Sequence, residues 1–200
     1  MNMHNFFQRA GTSLLIVAIL ITLFSLPQYI TSVFLIIVLG YILVYEWPRF
    51  KRLEFTILYP VIPFICLIVL NHYCRHELIF LIVTICIFDT AAYLCGTIAG
   101  KHRIIPSISP KKTWEGLIGG LIISLICTRI FFNNSLIWIA TLNLLGFVSD
   151  AWESYLKRSA HLKDSGTLLP GHGGLLDRFD SIMIPAVIMT GYYFLTHICP

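Results

Sequence analysis

The sequence predicts an all-α, polytopic integral membrane bundle of about seven transmembrane helices with a cytoplasmic N-terminus. Three observations carry that prediction. Of the 200 residues, 57% are hydrophobic and only 12% charged, and the mean hydropathy is +0.81; the charged fraction is about half that of an ordinary soluble domain. The apolar runs are long and continuous rather than alternating, which selects helices over a closed barrel. The basic residues, finally, fall almost wholly on one side of the proposed spans.

The spans are expected at residues 12–26, 29–45, 55–71, 78–99, 116–132, 135–148 and 175–198. Several are shorter than the roughly 20 residues of a perpendicular crossing, so their ends extend into polar neighbours. The sixth is expected to run past Val148 as far as Lys157. The first resembles a secretory leader in having Arg9 before an apolar core, but Phe24-Ser25-Leu26-Pro27 lacks a small-x-small cleavage site, so a retained helix is expected. With the N-terminus inside, twelve of the fourteen Lys and Arg residues lie on the cytoplasmic side, and only Arg75 and Arg129 lie outside. The chain is read as one membrane domain over 1–200, with N-terminal helices over 12–77 and chemistry-bearing helices and loops over 78–200.

Gly96 and Gly100, and Gly116 and Gly120, are small-residue pairs at helix-packing spacing, within or between subunits. Gly96–Lys101 lacks the spacing of a phosphate-binding loop and the Ser or Thr that would follow. The six cysteines show no CxxC spacing and mostly lie inside apolar runs, as small buried hydrophobes. Cys74 and Cys199 share one face of the membrane, which does not establish a pair.

Half of the ten acidic residues, and four of the five aspartates, lie between positions 150 and 180. Lys157, Arg158, Lys163, His172 and Arg178 lie among them, around Pro170-Gly171-His172-Gly173-Gly174. A solvated loop often carries mixed charges, but charge is scarce elsewhere in this chain. Asp150, Glu153 and Lys157 follow one another at helical spacing and share a face, and Asp177 and Asp180 sit three apart at the expected start of the last span. Clustered carboxylates call for a cation, and hard oxygen donors suit Mg²⁺, which keeps waters and substrate phosphates in its shell. The glycines before Leu175 offer backbone N–H groups, and a helix N-terminus there would add partial positive charge. These features point to a nucleotide or phospholipid substrate at the membrane surface.

The run Ser154-Tyr-Leu-Lys157-Arg158, then Lys163-Asp164-Ser-Gly166, then Leu169-Pro170-Gly-His172-Gly173-Gly174-Leu-Leu-Asp177-Arg178-Phe-Asp180 resembles the signature of phosphatidate cytidylyltransferases (CDP-diacylglycerol synthases). The likeness extends upstream to Phe88-Asp89-Thr90-Ala91-Ala92-Tyr93, to Gly96 and Gly100-Lys101, and to Ser109-Pro110-Lys111-Lys112-Thr113-Trp114-Glu115-Gly116. It covers roughly the last 115 residues and fades over the first three spans. Ser149 stands where similar proteins usually carry Gly, and the N-terminal portion is shorter than in many members by a span or two.

The resemblance implies a magnesium-dependent transfer in which CTP and phosphatidic acid give CDP-diacylglycerol and pyrophosphate. It puts the metal on Asp150 and Asp177, with Asp180 beside them and a second cation such as K⁺ as a candidate. Lys157, Arg158, Lys163 and Arg178 would hold phosphates, and Asp164 and His172 would orient partners, His172 with the capacity to move a proton as well. Lys157, Asp164, His172 and Asp180 thus form the expected catalytic set. Substrate binding is expected of Asp89, Lys111, Lys112, Arg158, Lys163, Gly173, Gly174 and Arg178. An intramembrane Asp89 is costly unless it faces a cavity, and Lys111 and Lys112 are alternatively read as membrane-surface lysines. The expected partners are CTP, phosphatidic acid and the lipid bilayer, with a homodimer from the family likeness and the small-residue pairs, and no nucleic acid. The expected location is the inner (cytoplasmic) membrane with a cytoplasmic site. The competing readings are another CTP-using lipid enzyme, such as a polyprenol kinase, and an ion-coupled transporter. The broken, repeated helices of a transporter are not seen.

Overall fold

The computed structural model describes residues 15, 17–51, 53–168 and 173–196. Helix α1 (17–25) leads through Pro27 into α2 (Gln28–Tyr41), which continues as a wide turn over Ile42–Glu46 and a tight one over Trp47–Phe50. After a kinked entry at Tyr59-Pro60 come α3 (Ile62–Tyr73) and α4 (Arg75–Ala99). A hairpin of β1 (Arg103–Ile105) and β2 (Ser109–Thr113) precedes α5 (Trp114–Phe132), α6 (Leu136–Ser159) and α7 (Met183–Thr196). The molecule is a helical membrane protein. Gln28–Phe50, Arg75–Ala99 and Trp114–Phe132 are long and apolar enough to cross a bilayer, and Ile57–Tyr73 and Met183–Thr196 are shorter apolar helices.

Three expectations change. The fold is not purely helical, because residues 103–113 pair as an antiparallel hairpin. The last helix does not start at Leu175: residues 176–178 form a single tight turn and the α-helix begins at Met183. Asp177 and Asp180 therefore precede the helix, and no α-helical N-terminus supplies charge at Leu175. Cys74 is disulfide-bonded, whereas Cys66, Cys86, Cys95 and Cys127 are free. As expected, α6 runs unbroken past Lys157.

The core is apolar and shared among helices: Phe64, Leu67 and Leu70 of α3, Leu78, Leu81 and Ile85 of α4, Ile139 and Leu142 of α6, and Met183, Ala186 and Met189 of α7. Outward apolar side chains such as Ile98 (84% exposed) and Leu195 (84%) complete a surface that suits lipid rather than water. Buried polar groups tie helices together where no water competes. Asn143 Nδ2 donates to Ser124 Oγ at 2.9 Å, and Ser124 Oγ donates to the Thr84 carbonyl at 3.3 Å, linking α6, α5 and α4.

The small-residue pairs act within the chain. A side-chain carbon on Gly120 would come within 3.0 Å of the Ala92 backbone, so α5 rides directly on α4. Successive helices alternate in direction, which gathers the ends of α2, α4 and α6 and the starts of α3, α5 and α7 at one end of the bundle.

Candidate active site

A cavity of about 330 Å³ opens at that end, lined by Asp89, Lys111, Lys112, Asp150, Asp177, Arg178, Asp180 and Ser181 among others. Seven of the side chains picked out from the sequence thus meet in one space, although they come from α4, the hairpin, α6 and the turn before α7. The hairpin is set by Glu115, in the first turn of α5. Its carboxylate accepts from the backbone N–H of Lys101 (3.1 Å) and His102 (3.2 Å) and lies 2.6 Å from His102 Nδ1. Thr113 caps α5 by accepting from the Gly116 N–H at 3.2 Å. Lys112, between these anchors, reaches across to α6. Its ammonium pairs with Asp150 Oδ2 at 2.9 Å, donates to the Phe147 carbonyl at 3.3 Å and sits 4.3 Å from the centre of the Phe147 ring.

Behind the cavity runs a buried chain of charge. Tyr59 Oη donates to Glu153 Oε2 at 3.1 Å; Lys157 Nζ lies 3.1 Å from Glu153 Oε1 and donates to Asp177 Oδ1 at 2.7 Å. Asp177 Oδ2 accepts from the backbone N–H of Ser165 (2.9 Å) and Gly174 (2.8 Å). Burial alone would raise the Asp177 carboxyl, but Lys157 beside it, joined by the two N–H donors, holds it below the usual carboxylate range. Asp180 goes the other way. Burial first, then the nearby Glu153 and Asp150 carboxylates, push it well above that range. Ser149 ties these parts together by donating to the Asp180 carbonyl and accepting from the Ile184 N–H at 3.3 Å.

Several expected site residues lie elsewhere. Lys157 does not line the cavity; it is buried between Glu153 and Asp177. Arg158 is exposed and donates to the carbonyls of Ile108 (3.3 Å) and Leu162 (2.9 Å), joining α6 to the hairpin turn. Lys163 and Asp164 are exposed on the loop after α6, outside the cavity lining. Gly173 has φ +79°, and a side-chain carbon there would lie 3.3 Å from both Asp164 Cβ and Asp177 Cγ, so glycine is required by conformation and by space. The Gly174 N–H is already bonded to Asp177. His172 lies outside the described residues.

One residue of this assembly escaped the sequence reading. Glu46, at the end of the extended α2, is 1% exposed and accepts from Ser165 Oγ (3.0 Å) and from the backbone N–H of Leu175 (2.7 Å) and Leu176 (2.8 Å). No local pattern marks it beyond being a lone acid at the end of an apolar run.

Among the described residues, no three carboxylate, imidazole or thiol groups converge closely enough to hold a metal unaided. Magnesium typically takes one or two carboxylates and fills its shell with water and substrate phosphates. Four aspartates lining one cavity fit such an ion.

Fold and site together define a helical membrane protein with a polar cavity in which aspartates face lysine and arginine. The model of the Cytidylyltransferase family matches residues 3–196, and the chain belongs to that family. Among its relatives, the phosphatidate cytidylyltransferase of Staphylococcus saprophyticus is 45% identical over 118 residues, covering 54% of this chain and 45% of the relative. That of Staphylococcus aureus strain COL is 46% identical over 117 residues, with the same coverage. That of Haemophilus influenzae is 34% identical over 161 residues, covering 70% of this chain and 55% of the relative. The chain spans about half the length of the curated relatives it matches.

Proposed function

We propose that this chain transfers a cytidylyl group from CTP to phosphatidic acid, giving CDP-diacylglycerol and pyrophosphate. The observation that carries this is the cavity itself: Asp89, Asp150, Asp177 and Asp180 face Lys111, Lys112 and Arg178 at the end of an apolar bundle, in a member of a cytidylyltransferase family. The lipid phosphate attacks the α-phosphorus of CTP, a new P–O bond forms, and pyrophosphate leaves with the electrons of the broken bond. The attacking phosphate is anionic at neutral pH, so no strong general base is needed. The protein's work is to position two anions and offset their repulsion.

Lys111 and Lys112, on the hairpin, would meet one phosphate, and Arg178, on the tight turn before α7, the other. Lys112 exchanges its Asp150 partner for substrate in this reading, which frees Asp150. Asp150 and Asp177, with Asp180 beside them, would hold Mg²⁺, which when bound neutralises triphosphate charge; K⁺ is the candidate for a second cation. Lys157 serves by fixing Asp177, not by touching substrate.

Seven spans with the site on the cytoplasmic side of the inner membrane remain part of this proposal. The alternation of helix directions, the basic-residue bias and a disulfide-bonded Cys74 at the far end, where an oxidising compartment would lie, support it. The glycines that argued for a homodimer are engaged between α4 and α5, which leaves that expectation without their support.

The test is direct. The purified chain in lipid vesicles, given phosphatidic acid, CTP and Mg²⁺, should release pyrophosphate and form CDP-diacylglycerol. Asp150→Asn should lower the rate by roughly 100-fold or more, as removal of a group that stabilises transition-state charge does, and Asp177→Ala should abolish it. Phosphorylation of a lipid alcohol in place of lipid-dependent pyrophosphate release would refute the reading.

A further inference from the structure

We infer that Glu46 is a positioning residue for this site, acting through the two arms of the signature loop on Asp177 and Arg178; the kinetic part of its test rests on the cytidylyl-transfer reading.

The loop is held from two sides by carboxylates that never touch each other. On one side Glu46 Oε1 accepts from the Leu175 N–H at 2.7 Å, while Oε2 accepts from the Leu176 N–H at 2.8 Å and from Ser165 Oγ at 3.0 Å. On the other side Asp177 Oδ2 accepts from the N–H of Ser165 and of Gly174. Ser165 is bonded to both acids, by its hydroxyl to one and its backbone to the other. Leu176 opens the tight turn that carries Asp177 and Arg178, so the grip of Glu46 on its N–H sets where those two side chains leave the backbone. Hydrogen bonds to an ionised acceptor are about twice as strong as neutral ones, and no water competes at 1% exposure.

A second observation is independent of those bonds. A side-chain carbon on Gly166 would fall 2.7 Å from Glu46 Oε1, and one on Gly174 would fall 2.6 Å from the same oxygen. Two glycines of the signature are therefore shaped around a carboxylate contributed from more than a hundred residues away. A neutral side chain of the same shape would require the same glycines, so they fix where the carboxylate sits, and substitution tests its part as an acceptor. Glutamine would also replace glutamate without consequence in a filling role, since the two have the same shape. In an accepting role glutamine fails, because its amide nitrogen would face a backbone N–H.

The experiment pairs two measurements on Glu46→Gln. In the first, hydrogen–deuterium exchange of the purified, substrate-free protein is followed in peptides containing Ser165 and Gly174–Leu176. Exchange there should quicken by roughly tenfold, the equivalent of one charge-assisted hydrogen bond, with α5 peptides unchanged. In the second, phosphatidic acid and CTP kinetics should show the KM for CTP rising by about the same factor, a change that a smaller folded fraction cannot produce. Wild-type exchange, or faster exchange with an unchanged KM for CTP, overturns the inference. Should Glu46→Gln not be recovered folded, Ser165→Ala decides. It removes one donor, and faster exchange at Leu175 and Leu176 with a raised KM for CTP supports the assignment, whereas wild-type behaviour rejects it. A wild-type protein without transferase activity sinks the proposed function instead, and the exchange measurement then judges Glu46 alone.

Discussion

Lys157 stands between two buried carboxylates, and that position governs what its replacement does. Removing one member of a buried charge network leaves the others uncompensated, at a cost of about 3–5 kcal/mol. Lys157→Met should therefore cost stability of that order in chemical unfolding and not merely activity. A variant that stays as stable as wild type while losing turnover would mean that Lys157 works on substrate after all. Asp180 gives a pH signature with a definite sign. A carboxyl whose folded value is raised stabilises fully below its unfolded value, near 4, and that contribution is lost as the pH climbs towards the folded value. The lowered Asp177 behaves oppositely: its contribution is present above about 4 and disappears only in stronger acid. Between pH 4 and neutrality Asp180 thus dominates this pair. Without divalent cations the melting temperature should decline across that range, and Asp180→Asn should flatten the decline. A slope left unchanged by the substitution contradicts the assignment.

At the scale of elements, the contact of α4 with α5 carries the hairpin, because β2 runs directly into α5. A side-chain carbon at Gly120 would meet Ala92, whereas Gly40 on α2 has nothing within 4 Å. Gly120→Val should cost about 1–3 kcal/mol by overpacking. Gly40→Ala should be neutral or stabilising by up to about 1 kcal/mol, since alanine favours helix. Thermal unfolding of both in one detergent checks the contrast, and equal effects would remove α4–α5 packing as its cause. The elements also show where sequence reading reached its limit. Helices α4 to α6 were legible because unbroken apolar runs have few other uses. The start of α7 was not, because apolar Leu175 and Leu176 read as helix while their N–H groups are taken by Glu46. The hairpin was obscured by its shortness and by Pro106 and Pro110. The cavity aspartates were legible because charge is rare in this chain, whereas nothing near Glu46 signals donors so distant in sequence. Arg158 and Lys163 matched a motif whose spacing carries no information about which side chains turn inward.

For the whole molecule, sidedness is the property that decides biology. Single cysteines at Ser107, in the hairpin turn, and at Asn134, between α5 and α6, sit at opposite ends of α5. In intact cells a membrane-impermeant thiol reagent should label the Asn134 position alone, and disrupted cells should expose both. Labelling of Ser107 from outside would invert the proposed topology. The reach of Glu46 bears on how such a chain is made. Its donors lie 119 and 130 residues further along, and a ribosome adding about 5–20 residues per second needs on the order of ten seconds to deliver them. Throughout that interval the first helices are already entering the membrane with a carboxylate whose partners do not yet exist. In the proposed topology that acid waits at the cytoplasmic face, in contact with water, until the far end of the chain arrives to close over it.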